Sequence, residues 1–323
     1  MDTPEPRGWP EPLLLGAHHA GLATAMSSGT HVRLLRNCYV RAQTWLDSFP
    51  SQRFHLMVAA KHSVSPHALF CSETALFLAG LQTFGQPENI HMAVRHRGHT
   101  GTDKKTYTVP ATSEHHGRLL TLAPPVARRH VHPGTEEIEL DGFFTLPLQE
   151  AFVEAAATLP LQRSLGLLDT LAEHPAALGV HLEEVAALAS RLPTLTARRQ
   201  AALALSLADP RSESIGESAS RALIYLHGFT MPLLQEPMVD LEGNLYRPDF
   251  FWPEQRIIGE FDGRMKYTGT FEDSPTQALW KEKRREIALL PLANRIIRWT
   301  WEDLKQPEKL VRILRSAGVP QRA

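Results

Sequence analysis

The sequence predicts an α+β protein of two domains, and three observations carry that expectation. The chain has 323 residues, against roughly 100–200 for a typical domain. Its apolar content, 43%, is enough to fill two cores. The Pro-containing acidic turn "ADPRSES" at 208–214 separates helical Ala/Leu patterns from a stretch ordered helix, three strands, helix, strand, helix. The expected domains are 1–207, with a helical segment at 140–207, and 208–323.

In chain order, "HHAGLATAMSSG" reads as a short helix ending near Ser28-Gly29, followed by strands at 32–35 and 38–40. Asn37 between them tolerates the left-handed conformation of a tight hairpin turn. A helix followed by a hairpin bearing Arg33, Arg36 and Arg41 is what a winged helix presents to DNA, although an ordinary surface hairpin has the same pattern. "SETALFLAGL" predicts a helix with Ser72 as its cap and Gly80 near its end. The basic stretch "RHRGHTGTDKK" then brings Arg95, Arg97, Lys104 and Lys105. From 14 to 130 there are twelve Lys/Arg against five Asp/Glu, a local charge of +7 that the overall charge of −1 conceals. Phosphate contacts follow naturally from such an excess. A strand is expected at 140–145, and the spaced Ala and Leu beyond it predict packing helices.

The C-terminal domain concentrates the chemistry. Ser214 opens a helix with Glu217 three residues on, which is capping-box spacing. Two strands, "LLQEPMVD" and "NLYRPDFFW", join through Glu242-Gly243-Asn244, and "RIIGEF" returns after Pro253-Glu254-Gln255. With Glu254 and Gln255 as the central turn residues, Asp249 faces Glu260 and Asp262 shares their face. Opposed side chains lie about 4.5–5.5 Å apart at Cβ, and like charges there are destabilising. A divalent ion such as Mg²⁺ or Mn²⁺ answers this, because hard cations take carboxylate oxygens and activate water for attack on a phosphate. Phe250, Trp252, Ile257 and Phe261 are expected on one face, and Phe251 and Ile258 with the acids on the other. Lys266 stands just past the strand, where it can hold a phosphate oxygen or raise the fraction of attacking hydroxide.

"PDFFWPEQRIIGEFDGRMKY" resembles the strand-turn-strand signature of the Vsr-like branch of the restriction-endonuclease-like, PD-(D/E)xK, superfamily. The resemblance implies a mixed four-stranded core sheet flanked by helices over about 212–318, with "RIIRWTW" as the later strand. It implies that Asp249 and Glu260 are metal-binding acids, that Asp262 replaces the usual lysine, and that Glu217 is the acid of the leading helix. Lys266 lies near the place where related domains often carry a histidine. Less specifically, "SSGTHVRLLRNCYV", "CSETALFLAGL" and "DGFFTLPLQEAFVEAAATLPLQRSLGLLD" resemble successive blocks of AbiEi-type antitoxin and transcriptional-regulator proteins. That likeness implies a winged helix ahead of a helical region, DNA as partner and a cognate toxin as a second one.

Other classes find no support. Two cysteines, Cys38 and Cys71, give neither a disulfide framework nor zinc-finger spacing, and the start lacks the order of a signal peptide, which together predict a cytoplasmic protein. No run approaches the roughly 18 apolar residues of a membrane span. The histidine pairs come without a metalloprotease motif, and no dinucleotide, Walker or serine-elbow signature occurs. Two functions remain: a Mg²⁺-dependent DNA endonuclease with a basic N-terminal region, and a non-cleaving DNA-binding regulator or antitoxin that keeps the nuclease fold. A pure protein-interaction module is the third class.

Overall fold

The computed structural model describes residues 14–15, 21–132, 136–240, 242–263 and 291–322. The protein mixes helices with several sheets and divides by packing into two compact units, Met1–Leu81 with Gly85–Ala155, and Gln82–Phe84 with Ala156–Ala323. The turn at 208–214 is a loop between two helices, but the units do not part there.

In the first unit, β1 (Leu14–Leu15) is followed by α1 (Leu22–Ser27) and the hairpin of β2 (His31–Leu35) and β3 (Cys38–Arg41). Asn37 turns the hairpin at φ 62°, as its side chain predicts. The three strands form one sheet, ordered β1-β3-β2. Helices α2 (Ala42–Asp47) and α3 (Pro50–Val64) follow, then β4 (Leu69–Phe70) and α4 (Ser72–Leu78). Ser72 is not the cap of α4; Cys71 holds that position and Ser72 is already the first residue of the helix. Strands β5 (Asn89–Val94) and β6 (Gly101–Thr102), helix α5 (His116–Thr121) and strand β7 (Val126–Val131) complete the middle of the unit.

The single strand expected at 140–145 is two, β8 (Ile138–Leu140) and β9 (Phe143–Thr145). Asp141 and Gly142 both have positive φ, 48° and 81°, which makes them the turn of a tight hairpin. Strands β4 to β9 build a six-stranded sheet in the order β6-β7-β5-β4-β9-β8. This sheet is the largest departure from a winged-helix-plus-helices expectation. Trp45, Phe54, Phe70, Leu34 and Ile90 are buried in the core of this unit.

Helix α6 (Leu148–Thr158) leads into α7 (Leu161–Glu173), α8 (Pro175–Leu178), α9 (Leu182–Ala189), α10 (Leu195–Leu207) and α11 (Ile215–Leu226). In the second unit α7 packs along α11, tied by Asp169 on α7 and Arg221 on α11, whose Nη1 donates to Asp169 Oδ2 at 2.7 Å. Both residues are almost fully buried. The helical segment expected with the N-terminal domain thus packs, from α7 onward, with the leading helix of the C-terminal sheet.

That sheet has four strands in the order β10 (Leu233–Leu234), β13 (Phe250–Trp252), β14 (Ile257–Asp262) and β15 (Arg295–Thr300). β13 and β14 are antiparallel, β14 and β15 parallel. The two strands expected before β14 are each broken. Gln235 takes φ 49°, and Pro237 and Pro248 offer no N–H to a ladder, so β11 (Met238–Val239) and β12 (Leu245–Tyr246) form a separate small ribbon. The helix expected between the third and fourth strands falls at 264–290, outside the described residues. Helices Trp301–Lys305 and Pro307–Ala317 pack against the apolar face of the sheet, with Phe250, Trp252, Ile257 and Trp299 in that core.

Candidate active site

The register of β13 and β14 places the acids. Phe250 pairs with Gly259, Phe251 with Ile258 and Trp252 with Ile257, which is the pairing the turn at Glu254-Gln255 predicts. Asp249 lies just before β13, where the same register extended by one step would set it across from Glu260, and its Oδ2 accepts the Phe261 N–H at 2.8 Å. The faces also fall as expected. Phe250, Trp252 and Ile257 enter one core with Phe261 packed against it, and Ile258 and Phe251 enter a second with Ile296 and Ala293.

Two glycines draw the surrounding elements close. A Cβ on Gly216 would lie 1.8 Å from Phe261 Cε1, so the first turn of α11 presses directly on β14. A Cβ on Gly259 would meet the Trp299 ring at 2.7 Å, so β14 can lie under the tryptophans only without a side chain there.

The approach at Gly216 carries Glu217 to the acids. Ser214 caps the helix, though the reciprocal bond is not that of a capping box: Glu217 N–H donates to Ser214 Oγ at 3.2 Å, and it is the Ser214 hydroxyl, not its N–H, that donates to Glu217 Oε1, at 2.7 Å. Oε2 accepts from Glu213 N–H at 2.9 Å and from Gln235 Nε2 at 3.4 Å. Burial pushes the carboxyl up to about 7 against the opposing effect of Ser214, and the charge of Asp249 adds to the rise. Capping and proximity to Asp249 are therefore properties of one side chain.

The like-charge repulsion expected between Asp249 and Glu260 has an answer that sequence analysis missed. In the parallel register Glu260 pairs with Arg298 of β15, and Arg298 Nε donates to Glu260 Oε2 at 3.1 Å. The Glu260 side chain is 13% exposed and that of Arg298 32%. The signal was present in "RIIRWTW", where Arg298 follows Ile296 two positions on, along the acid face, but its partner lies 38 residues away. Asp262, at the end of β14 opposite Thr300, is exposed. Among the described residues no group of three or more His, Cys, Asp or Glu that could hold a metal ion is found. Lys266 lies outside the described residues.

The expected nucleic-acid contacts divide. Arg33 is half-buried, and its Nη2 donates to Thr108 Oγ1 at 2.9 Å, so it braces the hairpin. Arg36, Arg41, Arg97, Lys104 and Lys105 are exposed, as is Arg95, which lies 3.8 Å from Glu137.

The elevated pKa of Glu217 makes a signed prediction. Folding favours its protonated form, so its contribution to stability is fullest below pH 4.5 and is lost as pH rises through about 7. Glu217→Gln removes that loss. The stability of the variant relative to the parent should rise by about 2–3 kcal/mol between pH 4 and pH 8, whatever constant offset the amide introduces. Urea unfolding at several pH values measures the difference, and a flat difference would mean that folding does not shift the Glu217 carboxyl.

No family model matches the chain, and no solved structure matches it significantly. Two curated relatives do: the uncharacterized proteins MT2308 and Rv2248 of Mycobacterium tuberculosis strains CDC 1551 / Oshkosh and H37Rv. Each is 29% identical over 154 residues, 48% of this chain and 54% of the relative. The chain therefore spans about half the length of the curated relatives it matches.

Proposed function

We propose that this protein is a Mg²⁺- or Mn²⁺-dependent DNA endonuclease of the restriction-endonuclease-like superfamily, with an N-terminal region that holds DNA by its phosphates. The observation that carries the reading is the juxtaposition of Asp249 and Glu260 across β13 and β14, with Glu217 brought beside Asp249 by the close approach at Gly216.

The residues present fit a hard divalent ion in its sparing mode, since Mg²⁺ is commonly held by one or two carboxylates and completes its shell with waters and substrate phosphate. Asp249 and Glu260 would hold it, and when bound it would supply charge stabilisation and an activated water. Glu217, poised near neutrality, can take up a proton on its carboxyl, and Phe261 N–H orients Asp249 through Oδ2. Arg298 neutralises Glu260 in the protein alone and lies on the same face, within reach of a phosphate brought there.

The pairing of Glu260 with Arg298 also gives substance to the second reading, a non-cleaving regulator or antitoxin of the AbiEi type in which that ion pair stands where the metal ligand would be. Plasmid and linear DNA incubated with Mg²⁺ or Mn²⁺ separate the two. Metal-dependent nicks or breaks support the endonuclease; binding with no cleavage in either metal supports the regulator, for which a toxin is the expected second partner.

Both readings share a basic face. Replacing Arg36 and Arg41 together, with Arg33 kept for its internal bond, should weaken duplex binding irrespective of sequence. Each phosphate that the two arginines no longer neutralise makes the slope of log K against log salt shallower by about 0.9. An unchanged slope would remove the hairpin from the DNA contact.

A further inference from the structure

In the first unit, outside the acidic site, an open cavity of about 640 Å³ lies between the end of α3, the start of β4, β5, β7 and the 3-10 turn Arg97–His99. Its charged and titratable lining is basic throughout: Lys61, Arg129, His67 and His99, with Ser65 and Thr100 as hydroxyl donors. Among the described residues no acid lines it.

The two cations are fixed from behind by one carboxylate. Asp103 Oδ2 pairs with Lys61 Nζ, and Asp103 Oδ1 with Arg129 Nη1 at 2.7 Å. Asp103 itself is held in place by its N–H, which donates to Ala127 O at 2.8 Å. Lys61 is 8% exposed. Two positive charges thus share a single negative one, with Lys61 largely buried and Arg129 and Asp103 partly so, and the excess faces the cavity. A buried charge is costly unless paired. In addition, Arg129 Nε is buried with no hydrogen-bond partner among the described residues. Charge and donor count both ask for an anion that can receive several N–H bonds at once, which is what a guanidinium offers to phosphate.

We propose that this cavity is a phosphate-binding site, in which Arg129 and Lys61 hold the oxygens of a phosphate monoester and Asp103 balances the two cations while the site is empty. The volume is larger than phosphate alone requires and lies in the range of small-ligand pockets, roughly 300–1,000 Å³. The phosphate is accordingly one carried on a larger group, either a free nucleotide or the 5′ end of a nucleic-acid strand. The site does not depend on cleavage by the acids of the second unit, and its test reads binding only.

The full-length protein is titrated at constant ionic strength with inorganic phosphate, a nucleoside 5′-monophosphate, and a short duplex with and without 5′-phosphates, following the melting temperature. Ligand binding raises it as RT ln(1 + [L]/Kd). Wild type should show a saturable rise, and Arg129→Gln should weaken the phosphate affinity by about tenfold, the equivalent of one charge-assisted contact. Asp103→Asn should act the opposite way, melting lower without ligand and gaining more than wild type from phosphate, because the competing carboxylate is gone. A merely structural Asp103 would give the lower melting temperature without the larger gain. A greater response to the monophosphate than to either duplex identifies a free nucleotide, and a response to the phosphorylated duplex alone identifies a strand end. The proposal is overturned if wild type shows no saturable response to any phosphate probe, or if Arg129→Gln responds as wild type does. Should Asp103→Asn fail to fold, Arg129→Gln decides the matter alone.

Discussion

Asp169→Ala is expected to destabilise the second unit by about 3–5 kcal/mol, the usual cost of breaking a buried ion pair from one side. Asp169 is 1% exposed and Arg221 4%. The carboxylate receives Arg221 Nη1 on Oδ2 and the Asp209 N–H on Oδ1, both within hydrogen-bond distance, so its removal orphans a buried guanidinium and a backbone donor together. Arg221 Nη2 also donates to Leu207 O, which joins the end of α10 to α11. The control is the double replacement Asp169→Leu with Arg221→Met. With no charge left to strand, it should recover much of the loss, because apolar substitution of a whole buried pair is often close to neutral. Thermal or urea unfolding of the three proteins measures this. A single variant costing under about 1 kcal/mol, the range of exposed pairs, would show that the pair contributes little to holding α7 on α11.

The same pair explains why the unit boundary was hard to read. The Pro and acidic residues of 208–214 have the composition of a linker, and composition reports local chain preference. What joins α7 to α11 is a contact between residues 52 apart, made by two side chains that each look like ordinary helix-surface charges. Several local signals were read well, though not the cap of α4 or the breaks in the two strands before β14. The turn around Glu254-Gln255 fixes the β13–β14 register, alternation fixes its faces, Ser214 caps α11, and Asn37 turns the first hairpin, because each depends on residues a few positions apart.

Non-local pairings were read poorly. β5 and β7 are parallel neighbours whose sequences, "NIHMAV" and "VARRHV", mix histidine and arginine with apolar residues and do not alternate cleanly. The basic cavity depends on Lys61, Asp103 and Arg129, three residues far apart in the chain. Within the candidate active site, Asp249 and Glu260 were legible because one turn relates them. Arg298 was not, because its place follows from a parallel crossover rather than a hairpin.

Glu260→Gln is expected to lower metal-dependent DNA cleavage by about a hundredfold or more, since losing a ligand charge removes several kcal/mol of stabilisation and each 1.36 kcal/mol is about tenfold in rate. The fold should persist: Gln keeps the shape of Glu260, and Arg298, 32% exposed, can turn to solvent when its partner loses charge. The informative companion is Arg298→Gln. Arg298 already donates to Glu260, so an ion held there as proposed would have to compete with the guanidinium, and removing it should shift the Mg²⁺ or Mn²⁺ concentration needed for thermal stabilisation to lower values. Glu260→Gln should shift it higher. Opposite displacements from the two halves of one ion pair would place the metal at Glu260 even if the DNA target used were a poor substrate. Cleavage that survives Glu260→Gln, or that proceeds in excess chelator, would mean a contaminating enzyme or another site. Metal responses unchanged in both variants would leave the Glu260–Arg298 pair a structural tie of the sheet and favour the non-cleaving DNA binder.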